Sequence, residues 1–429
     1  MFKALIIMYF YFKTKYFSRF SNRNALLNWQ DKKVRDFLNK ILKKSKYYSH
    51  KFKGLNLTDW KNFPTIDKKE LMENFDSLNT VDIFKKEAFE LALNCEKTRN
   101  FKPEINNITI GLSSGTSGNR GLFLVSKFEQ YRWVGTILAK MLPYSIFKKH
   151  RIAFFLRANS NLYENVKGRN ICFKYFDMLN SIDENLEKLD NFKPTIIVAP
   201  PSMLKIIAKN LSKIKINPAK IISVAEVLEE IDKKYLEKAF NQIIHQIYQA
   251  TEGFLACTCK YGNLHLNEDI VAIQKEYVGE NKFTPIITDF KRTSEPIIRY
   301  RLNDILTESL ESCPCGSKHL LIKKIEGRCD DIFYLESNVD DSLISIFPDF
   351  ISRAVIFASN KIEEYNVIQI SKDEIHIYID KANEFNKVKN SLVQLFEKMN
   401  CKIPNIARLD TLSRDNSKKF KRIESKING

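Results

Sequence analysis

Glycine is scarce in this chain of 429 residues, which contains only 13 glycines, about 3% against a usual proportion of roughly 7%. No apolar run approaches the length of about 20 residues that a membrane-spanning helix needs. Apolar residues nevertheless make up 44% of the chain, which excludes a disordered protein, and the length suffices for two or three domains. The sequence therefore predicts a large globular protein in which a local concentration of glycine needs an explanation.

Cysteine is also sparse, since the eight cysteines of the chain are too few for a disulfide framework. The apolar stretch 4–12 is too short to span a bilayer, and basic residues follow it instead of a cleavage site, so a secretory signal is not expected. These observations predict a cytoplasmic protein. In a reducing compartment, the close pairs Cys257/Cys259 and Cys313/Cys315 indicate metal binding rather than disulfides.

Positive charge is concentrated at the N-terminus. The net charge of the chain is +18, and residues 1–53 contain 14 Lys and Arg but only two acids. A nucleic-acid-binding protein would spread its basic residues over a folded face, so nucleic acid is not expected as a partner. Aromatic residues are interleaved with the basic ones. This arm could contact an anionic membrane or form a helix packed on the main domain, and the second interpretation is favoured.

Three regions differ in their apolar patterns. Residues 1–105 are predicted to be helical, with helices at 34–42 and 65–75. Residues 106–330 alternate short apolar runs with amphipathic stretches, which is typical of an α/β sheet; the strands are predicted at 109–112, 122–125, 152–156, 195–199, 221–224 and 243–248, and the helices at 202–212 and 229–240. Residues 331–429 are predicted to be a small α+β unit, with strands at 355–358, 365–370 and 374–379 and a helix at 387–399.

Four of the 13 glycines fall within the segment GLSSGTSGNRG at 111–121. Backbone amides beside glycine, hydroxyl groups and one arginine together suit the binding of phosphate. The segment matches neither GxxxxGK[ST] nor GxGxxG. A flexible turn is the alternative, but the scarcity of glycine elsewhere favours a phosphate-binding loop. The candidate residues of this loop are Ser113, Ser114, Gly115, Thr116, Ser117, Gly118 and Arg120.

The glycine-rich segment resembles the phosphate loop of the adenylate-forming superfamily, which includes the acyl- and aryl-coenzyme A ligases. Three further motifs follow in that family's order: YQATEG at 248–253, IRYRLNDI at 298–305 and IEGRCDD at 325–331. The resemblance covers nearly the whole chain and is to the phenylacetate-coenzyme A ligase-like branch, with its capsular-polysaccharide and deazaflavin-adenylylating relatives. It implies a large α/β nucleotide-binding domain followed by a small mobile lid.

The resemblance implies a role for each matching residue. Thr251 would donate a hydrogen bond to the α-phosphate of ATP, and Glu252 would bind Mg²⁺. Tyr248 would stack on adenine, and Asp304 would accept hydrogen bonds from the ribose. Arg328 would reach the ribose or a phosphate. Departures from the family motifs, such as Gln249 and Asn303 in place of glycines, leave the acceptor of the acyl group undetermined.

The lid carries two further implied residues. Asp330 would be the hinge, and Lys419, within SKKFKRI at 417–423, would be the mobile lysine that stabilises the adenylation transition state. Lys418 stands where the family usually has glycine, and an ordinary basic tail is the alternative interpretation.

The paired cysteines fit the same branch. Three thiolates and one imidazole form the ligand set of a closed structural zinc site. The implied ligands are Cys259, His265, Cys313 and Cys315, with Cys257 and His319 as the open alternatives.

The resemblance implies that ATP and a carboxylic acid react to form an acyl-adenylate and pyrophosphate, and that the acyl group is then transferred to the thiol of coenzyme A. Two alternatives remain open. One is transfer of AMP to give a stable product, as in the deazaflavin relatives. The other is a basic binding module without catalytic activity.

Overall fold

The computed structural model describes residues 2–98, 100, 102–113, 120–156, 163, 165–178, 180–328, 331–340, 342–359, 361–412 and 420–427. The N-terminal region is helical, as predicted. Its helices are α1 Phe2–Phe12, α2 Arg23–Ile41, α3 Lys46–Lys51, α4 Lys68–Glu73, α5 Phe75–Leu78 and α6 Lys85–Lys97, with a π-helix at Lys13–Phe17 and a 3₁₀ helix at Leu57–Asn62. None of the helices in the described residues combines the length and apolar character that crossing a bilayer requires.

The helix predicted at 65–75 is divided into α4 and α5. The carboxylate of Asp67 caps α4, since its Oδ1 accepts a hydrogen bond from the backbone nitrogen of Glu70 at 2.8 Å. Asn74 separates the two helices, and its side-chain nitrogen donates to the backbone oxygen of Glu70 at 2.9 Å. An asparagine side chain that bonds to the backbone in this way competes with continued helical pairing.

The middle region forms a small sheet, one large sheet and the helices that cover it. The small sheet contains β1 Glu104–Ile105, β2 Ile108–Leu112 and β3 Leu122–Ser126. The large sheet contains β4 His150–Leu156, β5 Ile171–Asp177, β6 Ile196–Ala199, β7 Lys220–Ser223, β8 Ile244–Ala250, β9 Gly253–Thr258, β10 Leu264–Leu266, β11 Ala272–Gly279, β12 Lys282–Thr288, β13 Tyr300–Arg301, β14 Asp304–Glu308 and β15 Leu321–Arg328. The helices of this region are α7 Lys127–Met141, α8 Ile182–Phe192, α9 Pro201–Lys209 and α10 Glu230–Phe240.

The large sheet has a parallel half and an antiparallel half. Strands β5, β4, β6, β7 and β8 are neighbours in that order and pair in parallel, and the strands from β9 onward pair antiparallel. Side chains alternate between the two faces of β4: Phe154 packs beneath α1 and α7, whereas Phe155 packs beneath α8, α9 and α10. Helices therefore cover both faces of the parallel half, which confirms the predicted α/β class.

The C-terminal region has a hydrophobic core of its own. Its elements are β16 Phe333–Glu336, β17 Leu343–Ile346, α11 Pro348–Ala358, β18 Tyr365–Ser371, β19 Glu374–Ile379, α12 Phe385–Lys398, β20 Asn405–Arg408 and β21 Ile423–Ser425. Four of these strands form a sheet in the order β20, β19, β18, β21. Buried side chains from both helices, including Ile351, Val355 and Leu392, pack on it.

The strand predicted at 355–358 was wrong, because these residues are the last turn of α11. A short apolar run is compatible with either structure. Pro348 is the first residue of the helix, where its fixed φ is compatible with a helical start. Ile351 and Val355, spaced four residues apart, are both completely buried, so the apolar pattern has the period of a helix.

Two ion pairs join the C-terminal region to the rest of the protein. The guanidinium of Arg422 lies 2.6 Å from the carboxylate of Asp232 in α10, which also pairs with Lys205 at 2.9 Å. Among the described residues, the second of these ion pairs joins Lys209 of α9 to Glu363, with 3.5 Å between Nζ and Oε2. The proposed boundaries at 105/106 and 330/331 stay predictions.

Candidate active site

A cleft of about 1930 Å³ lies at the carboxyl ends of the parallel strands, where ligands commonly bind to open α/β sheets. Residues at or just beyond the ends of β4, β6 and β7 line it, together with the β2–β3 hairpin, β14 and the C-terminal residues Phe420 and Lys421. A pocket for one drug-sized ligand measures about 300–1,000 Å³. The cleft therefore has room for more than one ligand.

Tyr248 and Asp304 meet on one wall of the cleft. Tyr248 belongs to β8 and Asp304 begins β14, and the phenolic hydroxyl of the tyrosine donates to Oδ2 of the aspartate at 2.5 Å. In the sheet register, Asp304 lies opposite Arg328 of β15. The large sheet thus brings together residues from three of the sequence motifs.

Thr251 and Glu252 form the two-residue turn between β8 and β9, where Ala250 pairs with Gly253. The Thr251 hydroxyl lies 2.9 Å from Oε2 of Glu252 and donates to it. A guanidinium nitrogen of Arg292 donates to the backbone oxygen of Thr251 at 2.5 Å. Arg292 therefore fixes the backbone of the turn, and the side chains of Thr251 and Glu252 lie on the cleft wall.

A buried carboxylate and a buried tyrosine hydroxyl support this turn. Arg292 also pairs with the buried carboxylate of Glu295, whose pKa burial raises to about 7. The hydroxyl of Tyr300 bonds to Glu252, and burial together with this carboxylate raises the pKa of the tyrosine well above its usual value. The Tyr300 hydroxyl accordingly remains protonated and donates to Glu252 at physiological pH.

The predicted phosphate loop joins β2 to β3, as expected for a strand–loop–strand arrangement. The base of the loop is closed by Ser113 and Gly121: the Ser113 nitrogen donates to the Gly121 oxygen at 2.8 Å, and the Gly121 nitrogen donates to the Ser113 hydroxyl at 2.7 Å. Arg120 pairs with Glu96 and donates to the Ser113 oxygen at 3.2 Å. The predicted residues that lie outside the described part of the loop are Ser114, Gly115, Thr116, Ser117 and Gly118.

The four predicted zinc ligands come together away from the cleft. Cys259 follows β9, His265 lies in β10, and Cys313 and Cys315 precede β15; their ligand atoms all lie within 4.8 Å of one another. The sulfurs of Cys259 and Cys313 are 3.7 Å apart. Sγ of Cys315 lies 3.4 Å from Nε2 of His265. None of the four is among the described residues that line the cleft.

The two alternative ligands are engaged elsewhere. The buried thiol of Cys257 donates to Oδ1 of Asn267 at 3.4 Å. Nδ1 of His319 lies 2.9 Å from the backbone oxygen of Leu266. The assignment of the ligands stays a prediction, and the geometry favours the original four.

Comparisons with known proteins point to one family. No family model matches the chain. It is 24% identical over 402 residues to Protein CapK of Staphylococcus aureus, covering 86% of this chain and 83% of CapK. It is 19% identical over 224 residues to a phenylacetate-coenzyme A ligase of Thermus thermophilus, covering 46% and 47% of the two chains. The fold is similar to that of 2-hydroxyisobutyryl-CoA ligase in complex with 2-HIB-AMP, with a TM-score of 0.67, 15% identity, and 94% and 89% of the two chains covered.

These comparisons support the predicted relationship to the adenylate-forming superfamily. The phenylacetate-coenzyme A ligase among these relatives supports the predicted branch. Two residues that this family assigns to the lid, Lys419 and Asp330, lie outside the described residues. Their neighbours Phe420 and Asp331 line the cleft, so the chain enters and leaves the C-terminal region beside this cleft.

Two cationic side chains on the cleft wall, Arg132 and Lys291, belong to none of the sequence motifs. Arg132 lies in α7 and Lys291 follows β12. Among the described residues, neither forms an ion pair with a carboxylate; the ammonium of Lys291 lies 4.8 Å from the ring centre of Phe290 and 5.6 Å from that of Trp29. Burial, then the nearby cation Arg132, lowers the pKa of Lys291 to about 8, and burial also lowers the pKa of Arg132.

A third unpredicted group lies beside Arg132. The indole nitrogen of Trp133 is buried and has no hydrogen-bond partner among the described residues, and the side chain lines the cleft. A buried N–H group without a partner costs stability, so such a group is commonly retained for a ligand. The capping box of α7, in which Ser126 and Glu129 bond reciprocally, is the sequence signal that could have located the helix carrying both residues.

Proposed function

We propose that this protein activates a carboxylic acid with ATP. An oxygen of the acid carboxylate attacks the α-phosphorus, the bond from that phosphorus to the bridging oxygen breaks, and pyrophosphate leaves with the electron pair. The product is a mixed anhydride of the acid and AMP. The meeting of Tyr248, Asp304 and the Thr251–Glu252 turn in one cleft carries this proposal.

We assign AMP to the wall formed by Tyr248, Thr251, Glu252 and Asp304, here called the nucleotide wall. The Asp304 carboxylate is an acceptor that suits the two ribose hydroxyls, and the ring of Tyr248 offers an apolar face to adenine. The Thr251 hydroxyl can turn from Glu252 to an oxygen of the α-phosphate, where negative charge must be stabilised during attack. The phosphate loop would hold the remaining phosphates next to this wall.

Mg²⁺ would be held by Glu252, whose carboxylate is a hard oxygen ligand of the kind this ion prefers. The residues fit such an ion, because Glu252 has donors on one side, Thr251 and Tyr300, and lines the cleft on the other. A bound Mg²⁺ supplies positive charge that offsets repulsion between phosphates and the incoming carboxylate.

We assign the acid to the wall formed by Arg132, Trp133 and Lys291, here called the acid wall. A carboxylate substrate needs positive charge and hydrogen-bond donors, and these three side chains offer both without an ion pair among the described residues. Deeper in the cleft the lining is apolar, with rings of Phe154 and Phe173. The substrate class that this lining favours is an acid with an apolar body.

Lys419 and Asp330 keep their proposed roles in the lid. A lysine that enters the site only when the lid closes would stabilise charge in the transition state of adenylation. Phe420 and Lys421, the next residues along the chain, line the cleft, which supports this role. Thioester formation with coenzyme A is the proposed second step: the thiolate attacks the acyl carbon and AMP leaves.

We propose a structural zinc ion between Cys259, His265, Cys313 and Cys315. Zinc–sulfur bonds of about 2.3 Å in a tetrahedral site set two sulfurs roughly 3.8 Å apart, and a sulfur and an imidazole nitrogen roughly 3.5 Å apart. The corresponding separations here, 3.7 and 3.4 Å, fit this geometry. Metal analysis of the purified protein should find one zinc per chain, and Cys315→Ser should remove it while Cys172→Ser, at an exposed cysteine, should not.

Exchange of pyrophosphate into ATP is the test of the proposed reaction. Purified protein with Mg²⁺ is supplied with aromatic, fatty and hydroxy acids one at a time, and Lys419→Ala is compared with Lys418→Ala as its matched control. We expect exchange that depends on one class of acid and that only Lys419→Ala abolishes. Absence of exchange with every acid would contradict the proposal.

The acceptor is tested separately, because exchange reports only the first step. With the active acid and coenzyme A, we expect free AMP and an acyl-coenzyme A to appear in equal amounts. A lasting AMP-modified product would favour the alternative of adenylyl transfer. Salt-sensitive polymer binding without any dependence on ATP would favour the non-catalytic module instead.

A further inference from the structure

Helix α1 has one buried side and one exposed side. On the buried side, Tyr11 is only 1% exposed and its hydroxyl accepts a hydrogen bond from the backbone nitrogen of Ile146. Gly135 in α7 permits the close approach, since a Cβ there would lie 2.5 Å from the backbone oxygen of Ile7. The helix is therefore packed on the main domain, as the favoured interpretation of the sequence predicted.

The exposed side of α1 is apolar and aromatic. Phe2, Leu5 and Tyr9, spaced as i, i+3 and i+7, are 76%, 61% and 58% exposed, so they form one stripe along the helix. The π-helix continues this stripe with Tyr16 and Phe17, which is 80% exposed. Large apolar side chains exposed together in this way usually mark an interaction site.

Two exposed rings of the main domain border this stripe. Phe128 stacks edge-on against Phe10 with ring centres 5.7 Å apart, and Phe147 lies 6.2 Å from Phe12. We call the combined surface the aromatic face. It consists of Phe2, Leu5, Tyr9, Tyr16, Phe17, Phe128 and Phe147.

The charge of the same segment has one sign. Residues 2–22 contain Lys3, Lys13, Lys15 and Arg19 and no acidic residue. Lys13 and Lys15 bond to the hydroxyls of Tyr9 and Tyr11 rather than to carboxylates. The aromatic face is thus surrounded by cations without counter-charge of its own.

We propose that the aromatic face docks on the surface of an anionic lipid bilayer. Aromatic rings favour the level of the lipid headgroups, where an apolar body and a polar edge are both accommodated. Basic residues beside them are attracted to anionic headgroups. The helix lies on the surface and does not cross it, because its other side is packed against α7.

A second copy of the chain is a poorer occupant of this surface. A symmetric dimer would bring the aromatic face against itself. The four cations of each copy would then approach one another with no acid in residues 2–22 to separate them. An anionic bilayer instead matches both the apolar area and the sign of the charge.

The docked segment also belongs to the active-site cleft. Phe10, Thr14 and Ser18 line the cleft from the inner side of the same arm. Docking would therefore hold the acid side of the cleft next to the membrane. This consequence rests on the proposed function, whereas docking itself does not.

Co-sedimentation of the full-length protein with vesicles tests the proposal. Vesicles of phosphatidylcholine alone are compared with vesicles that also contain phosphatidylglycerol, at low and high salt. We expect at least tenfold stronger binding to the anionic vesicles, weakened by salt. Phe2→Ser with Phe17→Ser should reduce this binding at least tenfold, whereas Leu310→Ser, at a residue that is 80% exposed far along the chain, should not change it.

A second pair of variants separates charge from ring burial. Lys15→Gln with Arg19→Gln should abolish the preference for anionic vesicles, while thermal unfolding should show that every variant remains folded. Equal binding of the wild type and Phe2→Ser/Phe17→Ser would overturn the proposal, as would equal binding to neutral and anionic vesicles. A dimer in sedimentation velocity that the same double substitution dissolves would assign the face to a second copy instead.

Discussion

The nucleotide wall and the acid wall of the cleft differ in how their residues are distributed along the chain. The nucleotide wall comes from strands of one sheet, with Thr251 and Glu252 in the tight turn between β8 and β9 and Tyr248 of β8 bonded to Asp304 of β14. The acid wall combines Arg132 and Trp133 of α7 with Lys291, which follows β12. The two walls therefore belong to different elements, so a substitution in one wall can leave the geometry of the other unchanged.

This difference predicts which kinetic constant each wall controls. Substitutions on the nucleotide wall should impair exchange with every acid alike. Substitutions on the acid wall should change the Michaelis constant of the acid and leave that of ATP unchanged.

Asp304→Ala should have the largest effect. Loss of hydrogen bonds to a charged carboxylate costs about 3 kcal/mol, so exchange should fall roughly 100-fold with any acid. Tyr248→Phe, which removes the hydroxyl that donates to Asp304 and keeps the ring, should also lower exchange with every acid, but by less. A loss confined to one acid would break the distinction between the walls.

Arg132→Gln should have the next largest effect. Loss of a charge-assisted bond to the acid carboxylate costs about 2 kcal/mol, which corresponds to a roughly 30-fold higher Michaelis constant for the acid. Arg132→Lys should recover part of this loss. An equal rise in the Michaelis constant of ATP would show that Arg132 serves the nucleotide instead.

The pH dependence of acid binding should report Lys291. Its pKa of about 8 results first from burial and then from the cations Arg132 and Lys13, with Asp289 and Asp269 opposing them. The group is charged below this pKa and neutral above it, so the Michaelis constant of the acid should rise about tenfold between pH 7 and pH 9. Lys291→Arg, which remains charged, should give a flat profile. A wild-type profile without this rise would remove Lys291 from the acid wall.

Deprotonation of Lys291 at high pH should weaken acid binding, but the same rise in pH should favour the folded state at this group. The native state holds the Lys291 proton less tightly than the unfolded state, whose lysine pKa is 10.5. Between about pH 8 and pH 10 the unfolded state therefore binds more protons, and this group's contribution to the free energy of unfolding increases with pH. Its effects on substrate binding and on stability can thus be separated in one pH series.

Trp133→Phe should have the smallest effect. It removes one neutral N–H donor and keeps an aromatic ring, which costs about 1 kcal/mol or roughly fivefold in the Michaelis constant of the acid. Tyr163→Phe, which removes a hydroxyl from another aromatic side chain lining the cleft, serves as the control. An unchanged constant in Trp133→Phe would mean that the buried indole nitrogen has no partner in the substrate.

Local patterns determined much of this protein. The alternation of short apolar runs and amphipathic stretches predicted the α/β fold, the strands β2, β3, β4, β6, β7 and β8, and the helices α9 and α10. It did not reveal β5, the antiparallel strands from β9 to β15, or the helices α7 and α8. The motifs that resemble the family indicated Tyr248, Thr251, Glu252 and Asp304, and the structure places these side chains on one wall of the cleft; their roles stay predictions. The close pairs of cysteines indicated metal binding, and the structure brings the side chains of Cys259, His265, Cys313 and Cys315 within 4.8 Å of one another; zinc itself stays a proposal.

Other features depended on the tertiary structure. The apolar run 355–358 became the end of α11 because Pro348 begins a helix whose buried side chains pack on β18 and β19. Arg132, Trp133 and Lys291 met only because α7 lies over the end of the parallel sheet. Contacts between elements far apart in the chain leave no local pattern in the sequence. The sequence therefore determined which elements form, and only their packing decided which side chains line this wall of the cleft.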